Sequence, residues 1–360
     1  MEAYYREQIW TLLNRVRPAD RDMMKQAKNR WDQIAKPLEG LGEFEHLIVK
    51  LAGIQGTEDV KLSRKAVAVF CADNGVVAEG VTQTDSSVTA VVAGNIADGS
   101  ASVSRMARTA GADVLTVDMG MLTEVFVPGI RNCRIGAGTR NFLKEPAMTM
   151  EQALEALHRG IGLAGEMKSC GYHILAVGEM GIGNTTTSSA LASLLLDLPA
   201  EKVTGRGAGL SSEGLERKIQ VIKEGIALHK PDPSKPLEAL AALGGFDIAG
   251  MTGFLLGAAI YRIPVVLDGM ISAVAALLAQ AMCPVAADFL LPSHLGKEPV
   301  CALAMEKLGL APVIHGQMAL GEGTGAVMLF PLLDMAAEVY RENRTFGDIC
   351  IAPYKKFDED

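Results

Sequence analysis

Ala66-Val67-Ala68-Val69-Phe70-Cys71, running into Ala72-Asp73-Asn74-Gly75, is the stretch on which the fold turns. Six consecutive apolar residues ending in a loop-forming cluster read as a strand buried on both faces, the signature of a parallel sheet rather than a half-wet antiparallel one. Outward from it the same pattern recurs at 113–117, 173–177, 264–267 and 287–291. Amphipathic helical stretches, such as 150–167 and 211–229, separate most of these strands. Apolar strands alternating with helices predict an α/β architecture, a parallel sheet with helices on both faces. Ligands in such sheets sit beyond the carboxyl ends of the strands. Here those ends carry Asp73-Asn74-Gly75, Asp118-Met119-Gly120, Gly178-Glu179-Met180-Gly181, Asp268-Gly269 and Pro292-Ser293-His294.

The flanks read as helix. Ile9, Leu12, Leu13 and Val16 recur at helical spacing and Met23, Met24 and Ala27 extend the stripe, predicting helix over residues 1 to about 35. A break follows at 36–42, then a helix from 43 to about 55. The final helix is expected at about 332–343, before the polar tail Lys355-Lys356-Phe357-Asp358-Glu359-Asp360.

At 360 residues, with 49% hydrophobic and 21% charged side chains, the chain can bury a large core without disulfide staples. A net charge of -8 argues against a nucleic-acid footprint, yet leaves room for a small anion held by local backbone amides. The six cysteines are scattered with no CxxC pair, which predicts reduced thiols. The N-terminus lacks an apolar signal core, and no apolar run is long enough to cross a bilayer, so no membrane partner and a cytoplasmic location are expected.

Four segments carry chemical potential. Gly178-Glu179-Met180-Gly181-Ile182-Gly183-Asn184-Thr185-Thr186-Thr187-Ser188-Ser189-Ala190 follows a strand and opens a helix. Its glycines would let amides approach an anion, and the helix N-terminus adds partial positive charge. Tight packing with capping hydroxyls is the competing reading. The segment matches neither the dinucleotide fingerprint nor a Walker loop. Glu322, within Leu320-Gly321-Glu322-Gly323-Thr324-Gly325-Ala326, reads either as an acid favoured by a helix dipole or as a general base held partly out of water. Gly205-Arg206-Gly207-Ala208-Gly209-Leu210 leads to Lys218: a flexible turn before a solvated helix, or a placement of Arg206 or Lys218 near a phosphate. Asp73 and Asn74, with the polar loop containing Thr82 and Gln83, read as surface or as one wall of a substrate pocket. His294 has no second His or Cys at metal spacing, so no metal site is expected.

Taken in order, these segments resemble the nicotinate-nucleotide–dimethylbenzimidazole phosphoribosyltransferase family, which builds the lower-ligand nucleotide of cobalamin. The resemblance runs nearly end to end. It includes Leu41-Gly42-Glu43-Phe44-Glu45, Ala72-Asp73-Asn74-Gly75-Val76, Gly138-Thr139-Arg140-Asn141-Phe142, Glu179 to Thr186, Gly244-Gly245-Phe246-Asp247-Ile248-Ala249, Ser293-His294 and Leu320 to Ala326. It implies a Rossmann-like sheet domain over 61–334, a small helical domain from 1–60 with 335–360, and a dimer, either a homodimer or a heterodimer with a paralogous chain, with sites near the subunit interface. It makes Glu322 the general base and Glu179 a second carboxylate that stabilises charge on the ribosyl carbon. Gly181, Gly183, Asn184, Thr185 and Thr186 become the phosphate cradle, with Lys218 and Arg206 as cations. Asp73, Asn74, Thr82, Gln83, Ser293 and His294 become further substrate contacts. The implied substrates are nicotinate mononucleotide and a small aromatic acceptor. The pyridinium of that nucleotide is already a good leaving group, so neither metal nor other cofactor is implied.

Some positions depart from the family pattern. Gly296 stands where a second serine usually follows Ser-His, Ala208 stands for a usual threonine, and Met270 for a usual aromatic. The loop at 82–87 lacks the aromatic-proline pair of many members. These differences keep open the alternative of a subunit of a two-chain phenol or p-cresol phosphoribosyltransferase, including a catalytically weaker one. A nucleotide sensor or oxidoreductase on the same fold is the rival from another class.

Overall fold

The computed structural model describes residues 1–123 and 127–354; the polar tail read at 355–360 lies outside the described residues. Six strands form one sheet: β1 (Lys65–Ala72), β2 (Ala112–Gly120), β3 (Ile130–Asn132), β4 (Ile174–Met180), β5 (Val265–Leu267) and β6 (Leu290–Pro292). Their order is β3-β2-β1-β4-β5-β6, and every pairing is parallel. This is the doubly wound order that reverses direction between the first and fourth strands, and the crevice at that reversal is where such sheets hold ligands. β1 sits at the centre, buried along its whole length, as its continuous apolar run requires.

Side-chain alternation along β1 feeds two cores. Ala66, Ala68 and Phe70 join the core beneath helices Met150–Ser169, Asn184–Leu195, Phe246–Tyr261 and Met270–Met282. Val67, Val69 and Cys71 join the opposite core, beneath Arg21–Gln33, Glu43–Gln55, Ser87–Asp98, Ser102–Thr109 and Thr324–Glu342. In the first core, a Cβ on Gly160 would collide with the backbone of Gly250, and one on Gly253 with the backbone of Leu157. The glycines therefore bring helices Met150–Ser169 and Phe246–Tyr261 into backbone contact.

The N-terminal stretch is two helices, Glu2–Leu13 and Arg21–Gln33, instead of the single one expected. Pro18 disfavours helical backbone at the residue before it, and Asp20 caps the second helix by accepting from the Asp22 and Met23 amides. The two also part company: Ile9 and Leu13 join one core, Ala27 and Trp31 the other. Trp31 meets Tyr340 at 5.0 Å between ring centroids, and Ile34 bridges to Thr345, so the second helix and the end of the described chain pack together.

The last helix starts at Thr324 and runs through Pro331 to Glu342, longer than the stretch read from sequence, because one missing N–H does not stop a helix packed along its length. Residues 284–289 form a 3-10 turn opened by Pro284, so of the stretch read at 287–291 only Leu290 and Leu291 pair in the sheet, with Pro292 extending the strand. β3 has the polar, largely exposed sequence of an edge strand, and no apolar run announced it.

Candidate active site

The carboxyl ends of β4 and β5 open onto a cavity of about 280 Å³ whose walls include Glu179, Asn184, Thr185, Asp268, His294 and Glu322. Glu322 reaches it on an unusual turn. Gly321, Glu322 and Gly323 are all left-handed, with φ of 86°, 61° and 90°. A non-glycine residue rarely holds that conformation unless its surroundings impose it. Two features do so here. Gly178 on β4 faces the Glu322–Gly323 peptide with no room for a Cβ. Asp268, at the end of β5, accepts from the amides of Gly323 (3.1 Å), Gly325 (2.8 Å) and Ala326 (3.1 Å), capping helix Thr324–Glu342. One Glu322 oxygen accepts from the Val103 amide at 3.1 Å, at the start of helix Ser102–Thr109.

The buried carboxyl of Asp268 is raised by burial and held down by His294 and its three amide donors. His294 Nδ1 lies 3.9 Å from Asp268 and 3.0 Å from the Ser293 hydroxyl, which itself donates to the Leu267 carbonyl. Ser293 is therefore occupied in tying β6 to β5, whereas His294 faces the cavity.

Glu179 is a further carboxyl on the cavity wall, beside Asp268, Glu298 and Glu322. Burial pushes it up to about 8 against the opposing hydrogen bond from Asn184, with Asp247, Asp268 and Glu322 adding to the rise. The Asn184 amide donates to Glu179 and also to Asp247 at 3.0 Å.

The turn expected to cradle an anion spends much of its backbone internally. The Ile182 amide donates to Thr89, the Asn184 backbone amide to Gly181, and the Thr186 amide to Gly183. Thr186 is wholly buried with an unpartnered hydroxyl, and Gly183 serves as a left-handed N-cap. Capacity for an anion thus rests on Thr185, on the dipole of helix Asn184–Leu195, and on Lys218. Lys218 is fully buried. It donates to the Thr185 hydroxyl at 2.8 Å and the Gly205 carbonyl at 3.3 Å, and burial lowers it to about 8. A cation stripped of water and offered one neutral hydroxyl and one carbonyl is a poor resting arrangement and a ready partner for phosphate.

Other residues singled out from sequence lie elsewhere in the single chain. Asp73 and Asn74 border a separate cavity of about 220 Å³ with Gly75, Leu122 and Thr139, although Asn74 also donates to the Ile182 carbonyl of the cradle turn at 3.4 Å. Arg206 is turned back onto the Leu210 carbonyl and Ser212, closing its own loop. Thr82 bonds the Thr84 carbonyl, and Gln83 donates to the Gly209 carbonyl, so their loop braces the 205–210 turn from outside. Three carboxyls went unassigned in the sequence: Asp268, Asp247 and Glu298. Glu298 accepts from the Gly207 amide at 3.0 Å and fixes that turn over Thr185. Asp247 could have been noticed as a lone acid in an otherwise apolar helix. Among the described residues no cluster of three or more His, Cys, Asp and Glu is placed to hold a metal ion.

Comparison with known proteins agrees along nearly all of the chain. The family described as Phosphoribosyltransferase matches residues 16–351. The nicotinate-nucleotide–dimethylbenzimidazole phosphoribosyltransferase of Ruminiclostridium cellulolyticum is 43% identical over 343 residues, 95% of this chain and 97% of that protein. The protein of the same name from Clostridium acetobutylicum is 44% identical over 347 residues, 96% of this chain and 99% of its own. The crystal structure of CobT from Thermus thermophilus superposes with a TM-score of 0.87 at 40% identity, covering 92% of this chain and 99% of that one. A Rossmann-order sheet and a match spanning almost every residue give one answer: the chain belongs to this phosphoribosyltransferase family.

Proposed function

We propose that the chain transfers the 5-phosphoribosyl group of nicotinate mononucleotide to 5,6-dimethylbenzimidazole or a closely similar azole, in cobalamin nucleotide-loop assembly. The carrying observation is that Glu322, on its imposed turn, and Thr185, bonded to buried Lys218, border one cavity at the carboxyl edge of the sheet. In this reading the phosphate lies against Thr185 and Lys218, near the Gly181–Thr186 turn. The unprotonated azole nitrogen attacks the anomeric carbon from the face opposite nicotinate. The C–N bond to nicotinate breaks, nicotinate leaves with the electron pair, and configuration changes from β to α. The second azole nitrogen gives its proton to Glu322. Holding two reactants in line supplies much of the acceleration, because the leaving group is already cationic. The names of the relatives support the azole over a phenolic acceptor.

The reading extends to assembly. Exposed Val91, Met328 and Met335, the last two a heptad apart on helix Thr324–Glu342, suit the contact of a second copy. All six cysteines are free, which suits the cytoplasm, and no described helix is long and apolar enough to cross a membrane. Of the helical ends read as 1–60 with 335–360, helices Arg21–Gln33 and Glu43–Gln55 would act with residues 335–354 as a small unit bracing one face of the sheet, while helix Glu2–Leu13 joins the other core. The test is an acceptor screen: purified chain with nicotinate mononucleotide and dimethylbenzimidazole, purines or phenols, measuring nicotinate released. Release dependent on the azole supports the reading. Release with phenols alone, or none with any acceptor, defeats it.

A further inference from the structure

Glu179 and Asp247 share a single donor group. Asn184 directs its amide N–H groups to an oxygen of each, and no Lys or Arg of the described residues pairs with either carboxyl. Asp247 is completely buried in the first turn of helix Phe246–Tyr261, where its own and the Ile248 backbone N–H groups also face its carboxyl. Gly181 is packed against Asp247 and Asn184 with no space for a Cβ, so the arrangement cannot open without moving the cradle turn. Around Glu179 stand Asp247, Asp268 and Glu322; around Asp247 stands Asp73 as well; His294 faces Asp268. The second Glu179 oxygen lies beside Gly321, at the cavity. With no cation among the described residues beside either group, one shared side-chain amide cannot hold two adjacent carboxylates, one wholly buried and one half-buried, both as anions, so a proton remains in the pair.

We propose that Asp247, acting through Asn184, is a positioning residue that keeps Glu179 as a neutral acid, whose proton is donated to an oxygen of the anionic nucleotide. This rests on the placement of the nucleotide in this cavity, and it differs from the expectation that an anionic Glu179 stabilises charge on the ribosyl carbon. Burial raises both carboxyls, but Asp247 lies in the first turn of helix Phe246–Tyr261 and is held down by backbone N–H groups there, whereas Glu179 has only Asn184, so Asp247 ionises and the proton rests on Glu179. A nucleotide carrying phosphate and nicotinate carboxylate meets a donor there instead of a repelling charge.

The experiment measures kcat/KM for nicotinate mononucleotide between pH 6 and 9.5 with dimethylbenzimidazole, in wild type, D247N, E179Q and E179A. Nicotinate release by wild type at low pH tests the function separately, so its absence would strike that reading and not this one. Wild type is expected to lose activity above about pH 8, where Glu179 ionises. D247N removes a like charge and should move that limb down by roughly one unit. E179Q keeps a donor that cannot ionise, so only the alkaline loss from Lys218, which E179A shares, should remain, and activity near pH 8 and above should exceed that of E179A by roughly tenfold, the worth of one hydrogen bond. A limb unmoved in D247N, or E179Q no better than E179A at every pH, overturns the proposal. If D247N fails to fold, the comparison of E179Q with E179A decides alone.

Discussion

Asp73 and Glu179 end adjacent strands on the two sides of the sheet's reversal point, and they are used in opposite ways. Asp73 accepts from the Thr89 hydroxyl at 2.6 Å and from the Leu122 amide at 2.7 Å, so both oxygens are committed to scaffolding. Burial raises its carboxyl while those donors pull it down. Glu179 has only a share of Asn184, and its free oxygen borders the larger cavity. Position at a strand end therefore does not separate a working carboxyl from a structural one. The count of committed lone pairs does, and Glu322, with one oxygen on the Val103 amide, falls on the working side.

The largest effect that would break this division is at Glu322. E322Q retains an oxygen for the Val103 amide, so the turn should hold. It loses the proton acceptor, and kcat should drop by roughly 10²- to 10⁴-fold. KM for nicotinate mononucleotide should stay within about threefold if proton transfer alone is lost. Near-normal turnover in a nicotinate-release assay would remove Glu322 from the chemistry.

Next comes Lys218. K218M fills similar volume and removes a buried charge, but leaves the Gly205 carbonyl without its donor and Glu298 without its nearby cation, so the melting temperature should be measured alongside activity. The loss of a charge-assisted contact to phosphate should raise KM for nicotinate mononucleotide roughly 10- to 100-fold, with a smaller change in kcat. An unchanged KM would move the phosphate elsewhere in the cavity.

Asp73 tests the other side. D73N leaves either Thr89 or Leu122 facing an amide N–H, at a cost on the order of 1–3 kcal/mol. The melting temperature should fall while kcat/KM stays within about threefold. A loss of activity without loss of stability would mean that the smaller cavity around Asp73 belongs to the working site.

What the sequence made legible follows from the range of the interactions. The β1 run and the strand-to-helix turn at 178–190 are written in neighbouring residues, and their elements match the structure closely. The turn that presents Glu322 is also local, but what imposes it is not. Asp268 acts from 55 residues away, and Gly178 from β4. The sharing of Asn184 between Glu179 and Asp247 spans 63 positions, and no spacing rule encodes it. Loop polarity singled out Thr82, Gln83 and Arg206, whose polar groups here satisfy the loop backbone, an arrangement that polarity alone does not separate from ligand contact. Hydrophilic turns advertise solvation and ligand contact with the same residues.

Gly296 offers the smallest and most discriminating change. It lies on the cavity wall beside Lys297 and Ala208, near the turn that faces Thr185. A Cβ placed there would stand 3.4 Å from the Cys301 sulfur and 3.7 Å from His294 Nε2, ordinary contact distances. Packing therefore does not demand glycine. G296S should fold with unchanged stability and add one hydroxyl at the proposed phosphate end. If phosphate binds against Thr185 and Lys218, KM for nicotinate mononucleotide should fall by a fewfold, roughly the worth of one neutral hydrogen bond in water. Should KM rise instead, with acceptor binding weakened, the space at Gly296 belongs to the aromatic acceptor, and the two substrates must exchange ends of the cavity.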